Sequence, residues 1–367
     1  MKKHQRRWLT PTLVVVSLSL FYVAGVLIQT KGDPMVFALL GTRFSESDPL
    51  GTEGYDGQFA YQIGVNPAGA APYIDVPAYR YQRILYPLLA RLLAFGQQTW
   101  IPWTLIIVNI IAIAGGTWLV EELLTDFRVS RWYALTYGLY GGQFLALRTD
   151  MNEPLAYTLV VAAIWAWGKD RRVWAIVAFS LAALTKETTL IFLAAYMLYT
   201  LHARQWRWFV GLGLAAIPFM IYQVFLWQWL GAWGVGSGGA GATPFSLLPL
   251  GGWLGIAGVH LGAFLLISLI IVPMSIFPSL AGVWLGARQL WQGEVHPLIY
   301  ALLLNSLVIL FLPASTFREP AAMLRLTQGL VVSMLLFGAL IRSRRILNYS
   351  TLWIATNALL LRGTPAG

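Results

Sequence analysis

Apolar positions along this chain come in unbroken blocks rather than in the strict alternation of a half-buried strand or the spaced stripe of a surface helix. The first block, LTPTLVVVSLSLFYVAGVLIQ, has about 20 apolar-rich residues, enough to cross a ~30 Å hydrocarbon core as one helix. Further blocks at 100–122, 132–147, 154–168, 173–185, 188–201, 208–230, 261–286, 297–313 and 322–341 bring the expected spans to ten, and 346–361 reads as an eleventh. The pattern predicts an all-α, polytopic transmembrane helix bundle. It forms a single transmembrane domain over 1–367, with the first span in 1–29, a long polar outer loop over 30–99 and the rest of the bundle in 100–367. Within that loop ILYPLLARLLAFG, residues 84–96, is too short to cross and carries Arg91, so it is expected to lie flat on the interface as an amphipathic helix.

Composition agrees with a lipid solvent. Hydrophobic residues make up 58% of the chain and charged ones 11%, about half the charged share of a water-soluble domain. The 17 Trp and 16 Tyr suit the two membrane interfaces, where amphipathic rings collect. With no Cys, disulfides, thiolate catalysis and Cys-type zinc sites are excluded, and His4, His202, His260 and His296 are scattered without metal-ligand spacing. The formal charge of +10 is read as anchoring at anionic lipid, because no basic soluble domain exists to bind nucleic acid.

Charge also orients the chain. The basic start MKKHQRRW is not followed by a small-residue cleavage site, which predicts an uncleaved first span with a cytoplasmic N-terminus. In that layout Lys2, Lys3, Arg6, Arg7, Arg128, Arg131, Lys169, Arg171, Arg172, Arg204, Arg207, Arg288, Arg342, Arg344 and Arg345 face inward, fifteen of the 25 basic residues, while ten of the 15 acids face outward. This is the asymmetry of the positive-inside rule.

Ionisable groups at membrane depth are costly and mark function. The same layout puts several at the outer ends of spans: Arg148, Asp150 and Glu153 in LRTDMNEP, Lys186 and Glu187 in LTKETT, and Arg318, Glu319 and Arg325 in TFREPAAMLRLT. The outer loop adds Tyr55, Asp56 and Gln58 in EGYDGQFAYQI, and Arg80 and Arg83 in YRYQR. Two readings stand for each group. Lys186 snorkels or pairs with Glu187, Arg148 and Asp150 anchor at the interface, Arg318 pairs with Glu319 and Asp56 caps its helix; or all of them line one polar chamber that opens outward. Guanidinium and ammonium groups suit a phosphate, apolar spans suit a lipid tail, and a carboxylate suits the removal of a hydroxyl proton. The Gly-rich loop GAWGVGSGGAGATP, 231–244, is either a lid over that chamber or a plain connector.

The order of first span, long loop with YDGQFAYQI, YRYQRILYPLLARLLA, NEPLAY and TKETTLIF resembles the polytopic GT-C glycosyltransferases. The likeness is greatest to bacterial cell-surface glycopolymer formation proteins and more distant to GPI-anchor and protein O-mannosyltransferases. It covers most of residues 1–200, with FREPAAMLRL the one later stretch that matches. The resemblance implies a polyprenyl-phosphate-linked sugar as donor, a glycan, lipid or protein hydroxyl as acceptor and an extracytoplasmic active site in the inner (plasma) membrane. It implies Asp56 as the base, with Glu153, Lys186, Glu187 and Arg318 lining the cavity. No cofactor is indicated; the loop has no strict Asp-x-Asp, which leaves divalent-metal dependence open. A flippase for a lipid-linked sugar and a non-catalytic subunit of a membrane complex are the competing readings.

Overall fold

In the computed structural model, which describes residues 9–362, the apolar blocks fold as helices, and no strand occurs among the described residues. Lys2, Lys3, Arg6 and Arg7, on which the expected orientation partly rests, lie outside the described residues. Among the described residues five helices are long and apolar enough to cross a membrane alone: Pro11–Gln29, Gln98–Asp126, Trp206–Leu230, Leu261–Trp291 and Pro320–Leu340. Shorter helices, Glu153–Gly168, Arg172–Thr185, Leu190–His202 and Pro297–Leu310, pack between them. Several starts follow from local chemistry. Pro occupies the first turn at Pro11, Pro154, Pro297 and Pro320, where its missing N–H leaves no bond unmade, and the Thr10 hydroxyl accepts the Leu13 N–H.

Burial is graded. In its apolar window the Pro320–Leu340 helix is 83% buried, against 22% for Pro11–Gln29 and Leu261–Trp291, so it forms the axis of the bundle and the other two its rim. Phe21, Ile28, Ile221, Leu266 and Leu269 stand exposed on outward faces. A water-soluble protein does not leave so much apolar surface bare; a bilayer covers it. The chain is a membrane protein.

Two expected spans are corrected, and each explains the other. Residues 132–147 form three short pieces, Arg131–Ala134, Leu135–Gly138 and Gly141–Arg148, instead of one span. Residues 346–361 form a short helix, Arg344–Ser350, that continues as the 3₁₀ run Thr351–Arg362 instead of an α-helical span. In that run the Thr356 hydroxyl donates to the Trp353 carbonyl and the Asn357 amide to the Ile354 carbonyl, local bonds that compete with α-helical ones. The same side chains fill the break in the other segment: Thr356 accepts the Gly141 N–H and Asn357 donates to the Leu139 carbonyl. The amphipathic piece at 84–96 is the helix Leu85–Leu93, and its Arg91 donates to the carbonyls of Gly64 and Val65, closing the end of the helix Gly57–Val65.

Polar contacts gather at the two ends of the bundle. At one end Lys169 pairs with Asp126, Arg131 donates to the Leu9 carbonyl and Arg342 to that of Phe127. The Glu153–Gly168 and Pro320–Leu340 helices run from this end to the other, where Arg325 joins Glu153 to Asp56 of the 30–99 loop.

Gly282 and Gly286 let the Phe277–Trp291 helix approach Pro297–Leu310 closely, in the small-xxx-small pattern of membrane helices. A Cβ on Gly282 would lie 2.1 Å from Ser306 Oγ, whereas one on Gly258 would meet nothing within 4 Å. Gly282→Leu is therefore expected to destabilise by roughly 1–3 kcal/mol through overpacking, and Gly258→Ala to be near neutral. Thermal unfolding in detergent checks both, and equal midpoints would refute this packing.

Candidate functional site

The site begins with a glycine. A Cβ on Gly57 would fall 1.9 Å from the Thr149 carbonyl oxygen, so only glycine lets the start of the Gly57–Val65 helix abut the 149–150 turn. That contact delivers Asp56 to the mouth of the bundle. Asp56 occupies the N-cap position, yet its side chain makes no capping bond. Its carboxylate accepts from Arg325 Nη1 at 2.5 Å and faces Arg80 Nη1 at 3.0 Å.

Each of these guanidiniums is held from behind by another carboxylate. Arg80 binds Asp75 in a two-pronged pair, Nε–Oδ1 2.8 Å and Nη2–Oδ2 2.7 Å, and rests on the Phe59 ring. Arg325 Nε donates to Glu153 Oε1 at 2.6 Å, and the same oxygen accepts Lys186 Nζ at 2.7 Å. Arg83 makes a second two-pronged pair with Glu187, at 2.9 and 2.6 Å, and donates to the Tyr79 hydroxyl. The chain Asp75–Arg80–Asp56–Arg325–Glu153–Lys186 thus joins the outer loop to three helix ends. Four acids and four bases balance, with Arg83 and Glu187 as the remaining pair.

A chamber of about 440 Å³ lies over this network. It is lined by Asp56, Arg80, Arg83, Lys186, Glu187, Arg318, Glu319 and Arg325, so most of the residues expected to share a chamber do share one. Tyr55 sits at its edge, donating to Glu319 Oε1 at 3.0 Å. The Gly-rich loop forms a wall through Gly239–Ala242, fastened by the Ala240 N–H on Asp75 and by Thr243 on Ser315. Gly239 packs closely on Arg80, where a Cβ would lie 2.9 Å from Nη2.

Several expectations need correction. Gln58 is buried, and its amide donates to the Glu53 carbonyl and accepts the Gly41 N–H; it shapes the loop and does not line the chamber. Lys186 pairs with Glu153, not with its neighbour Glu187. Arg148 lies outside the chamber and donates to the Val36 carbonyl. Asp150 instead lines an adjoining cavity of about 30 Å³, with Tyr86 and Asn152, which shares Asp56, Arg80, Arg83 and Arg325 with the chamber and has room for a water molecule. Asp75 and Tyr79 went unforeseen; the signal was Asp75 five residues before Arg80 across a helix start.

Environment sets the charges. Burial acts to raise the Asp56 carboxyl, but Arg80 and Arg325 outweigh it and hold the group well below the usual carboxylate range. Burial pushes the Lys186 ammonium down to about 8, against the pull of Glu153. Burial raises Asp150 well above its ordinary value, with Arg148 opposing, and both of its oxygens lack a hydrogen-bond partner among the described residues. Among the described residues no three His, Asp or Glu side chains gather as a metal-ligand set.

Apolar clefts adjoin the chamber. Glu319 lines both the chamber and a cleft of about 210 Å³ with Leu145, Pro320 and Leu324. Pro320, Leu324 and Leu359 continue that cleft into a second of about 370 Å³, walled by Leu266, Ile270 and Met323.

Compared with protein-family models, with curated proteins and with solved structures, the chain matches none.

Lys186 is 2% exposed and Glu153 fully buried. Lys186→Met is expected to cost roughly 3–5 kcal/mol, because a buried carboxylate loses a counter-charge, while Lys186→Arg restores much of the loss. The thermal midpoint in detergent reports this; an unchanged midpoint for the Met variant would contradict the pairing.

Proposed function

We propose that the protein is a GT-C type membrane glycosyltransferase, moving a sugar from a polyprenyl-phosphate donor to a hydroxyl acceptor at the extracytoplasmic face of the inner (plasma) membrane. The observation that carries this reading is the union of a chamber lined by four arginines, Arg80, Arg83, Arg318 and Arg325, with an apolar cleft, which suits one molecule with a phosphate and a long hydrocarbon tail. In the reaction the acceptor oxygen attacks the anomeric carbon while its proton passes to the Asp56 carboxylate. The bond from that carbon to the phosphate oxygen breaks, and polyprenyl phosphate departs with the electron pair. Attack opposite the leaving group inverts the sugar. Phosphate leaves readily as an anion, so Arg80, Arg83 and Arg325 act by charge and no separate acid is required. The wall at Gly239–Ala242 and the residues Arg318, Glu319, Ser315 and Thr316 border the space left for sugar and acceptor.

The buried ion pairs lie at one end of the bundle, whereas those at the other end, such as Lys169–Asp126, are exposed; this favours chemistry over transport, which is better served by polar groups along the full depth.

Purified protein incubated with a panel of polyprenyl-phosphate sugars is expected to release free polyprenyl phosphate, and Asp56→Asn to release none while remaining folded. Turnover by the Asn variant would remove Asp56 as base. Lys186 is protonated below about 8, so the chamber loses one positive charge as pH rises through that value. The rate is expected to fall along that limb, and Lys186→Arg to shift the fall to higher pH; a wild-type profile flat across the limb would show that the Lys186 charge plays no part.

A further inference from the structure

We propose that Asp56 is an internal occupant of the donor's anion site, and that a phosphate ester displaces it from Arg80 and Arg325, freeing the carboxylate to act as base. The inference rests on the reading of the chamber as a donor site. It begins from how the three guanidiniums are fixed. Arg80 is gripped along its Nε–Nη2 edge by Asp75, Arg83 along the same edge by Glu187, and Arg325 at Nε by Glu153. Held by their back edges, Arg80 and Arg325 turn Nη1 to a single point, and Asp56 sits there. Among the described residues no hydrogen bond uses Arg83 Nη1, and Arg83 lines the same chamber.

Such an arrangement is a preorganised anion receptor, since the donors are held in place whether or not the ligand is present. A carboxylate has two oxygens and engages two of the arginines. A phosphate ester has a tetrahedral set of oxygens and can address all three. The contrast between the partners is the second observation. Asp75 and Glu153 are 4% and 0% exposed and hold the arginines from the protein side, whereas Asp56 is 26% exposed and faces the chamber. Its backbone is fixed by the Gly57 contact, but its side chain makes no capping bond, so a rotation about its own χ angles is enough to leave the arginines.

Displacement also resolves a conflict within the mechanism. A carboxylate clamped between two guanidiniums is a poor proton acceptor. Once phosphate neutralises those guanidiniums, Asp56 loses its two counter-charges and becomes more basic. The base is thereby armed only when the donor is seated, and the donor must compete with Asp56 for the site. Competition of this kind lowers apparent affinity by the fraction of molecules in which the site is open.

Calorimetric titration of wild type and Asp56→Asn with inorganic phosphate, and separately with a polyprenyl phosphate in detergent micelles, tests the proposal. Asp56→Asn removes the competing charge, so both ligands are expected to bind about tenfold tighter or more than to wild type. Unchanged or weaker binding of both would overturn the proposal. A gain for the lipid alone would assign the change to the apolar cleft and would also overturn it. Tighter binding without sugar transfer by wild type from any donor keeps the displacement and defeats the transferase reading; transfer by wild type without tighter binding to the variant does the opposite. Should the variant fail to fold, a density map of wild type with polyprenyl phosphate decides. Phosphate between Arg80 and Arg325 with Asp56 turned away supports displacement, and Asp56 still on both arginines refutes it.

Discussion

Arg325 ties the buried helix Glu153–Gly168 to the loop segment that carries Asp56. Its Nε meets Glu153 at the head of one buried helix, and its Nη1 meets Asp56 at the head of an outer-loop helix. Taking a guanidinium and two carboxylates out of water is expensive, and the arrangement is tolerable only because each charge finds its opposite at hydrogen-bond distance. The most buried of the long helices carries this arginine one turn below its start, so the rigid axis of the bundle also fixes the floor of the chamber. Loop and bundle are joined by charge as well as by apolar packing, in which Phe59 and Ile63 cluster with Leu226.

The consequence for chemistry is preorganisation. Arg80 and Arg325 are oriented by carboxylates that lie behind them, and Arg83 by Glu187 in the chamber wall, which leaves the free edges of all three committed to one region of space. In the transfer proposed above, such donors need not reorganise as charge develops on the leaving phosphate, which is where electrostatic stabilisation is strongest. The chamber residues are positioned by groups outside the ion-pair network: Gly57 sets the approach of the Asp56 helix, Gly239 leaves space beside Arg80, and Arg91 ties the far end of the Asp56 helix to the helix Leu85–Leu93.

Much of this was legible from the residue order. Long apolar blocks dictate helices because a backbone in lipid must satisfy its own polar groups. Acids and bases at block ends mark a site because burying them without function is costly. The misreadings have physical causes. The blocks at 132–147 and 346–361 were apolar enough to span, but Gly138, Gly141 and Gly142 on one side and the side-chain bonds of Thr356 and Asn357 on the other favour a mutual seam over two continuous helices. Which acid meets which base was not legible: Lys186 lies beside Glu187 in sequence, yet its partner, Glu153, stands 33 positions away, because the turn at 186 points the two side chains in different directions. Gln58 looked like a site residue through its neighbours Tyr55 and Asp56, but helix geometry turns it to the loop side.

A double-mutant cycle between Glu153→Gln and Arg325→Gln, read as unfolding free energy in detergent, tests the bridge most directly. Each single change leaves a buried charge short of its partner, so the double variant should lose far less than the two losses added, with a coupling of about 1.5–3 kcal/mol. Additivity to within about 0.5 kcal/mol would mean that Glu153 and Arg325 do not meet, and the shared chamber would lose its foundation.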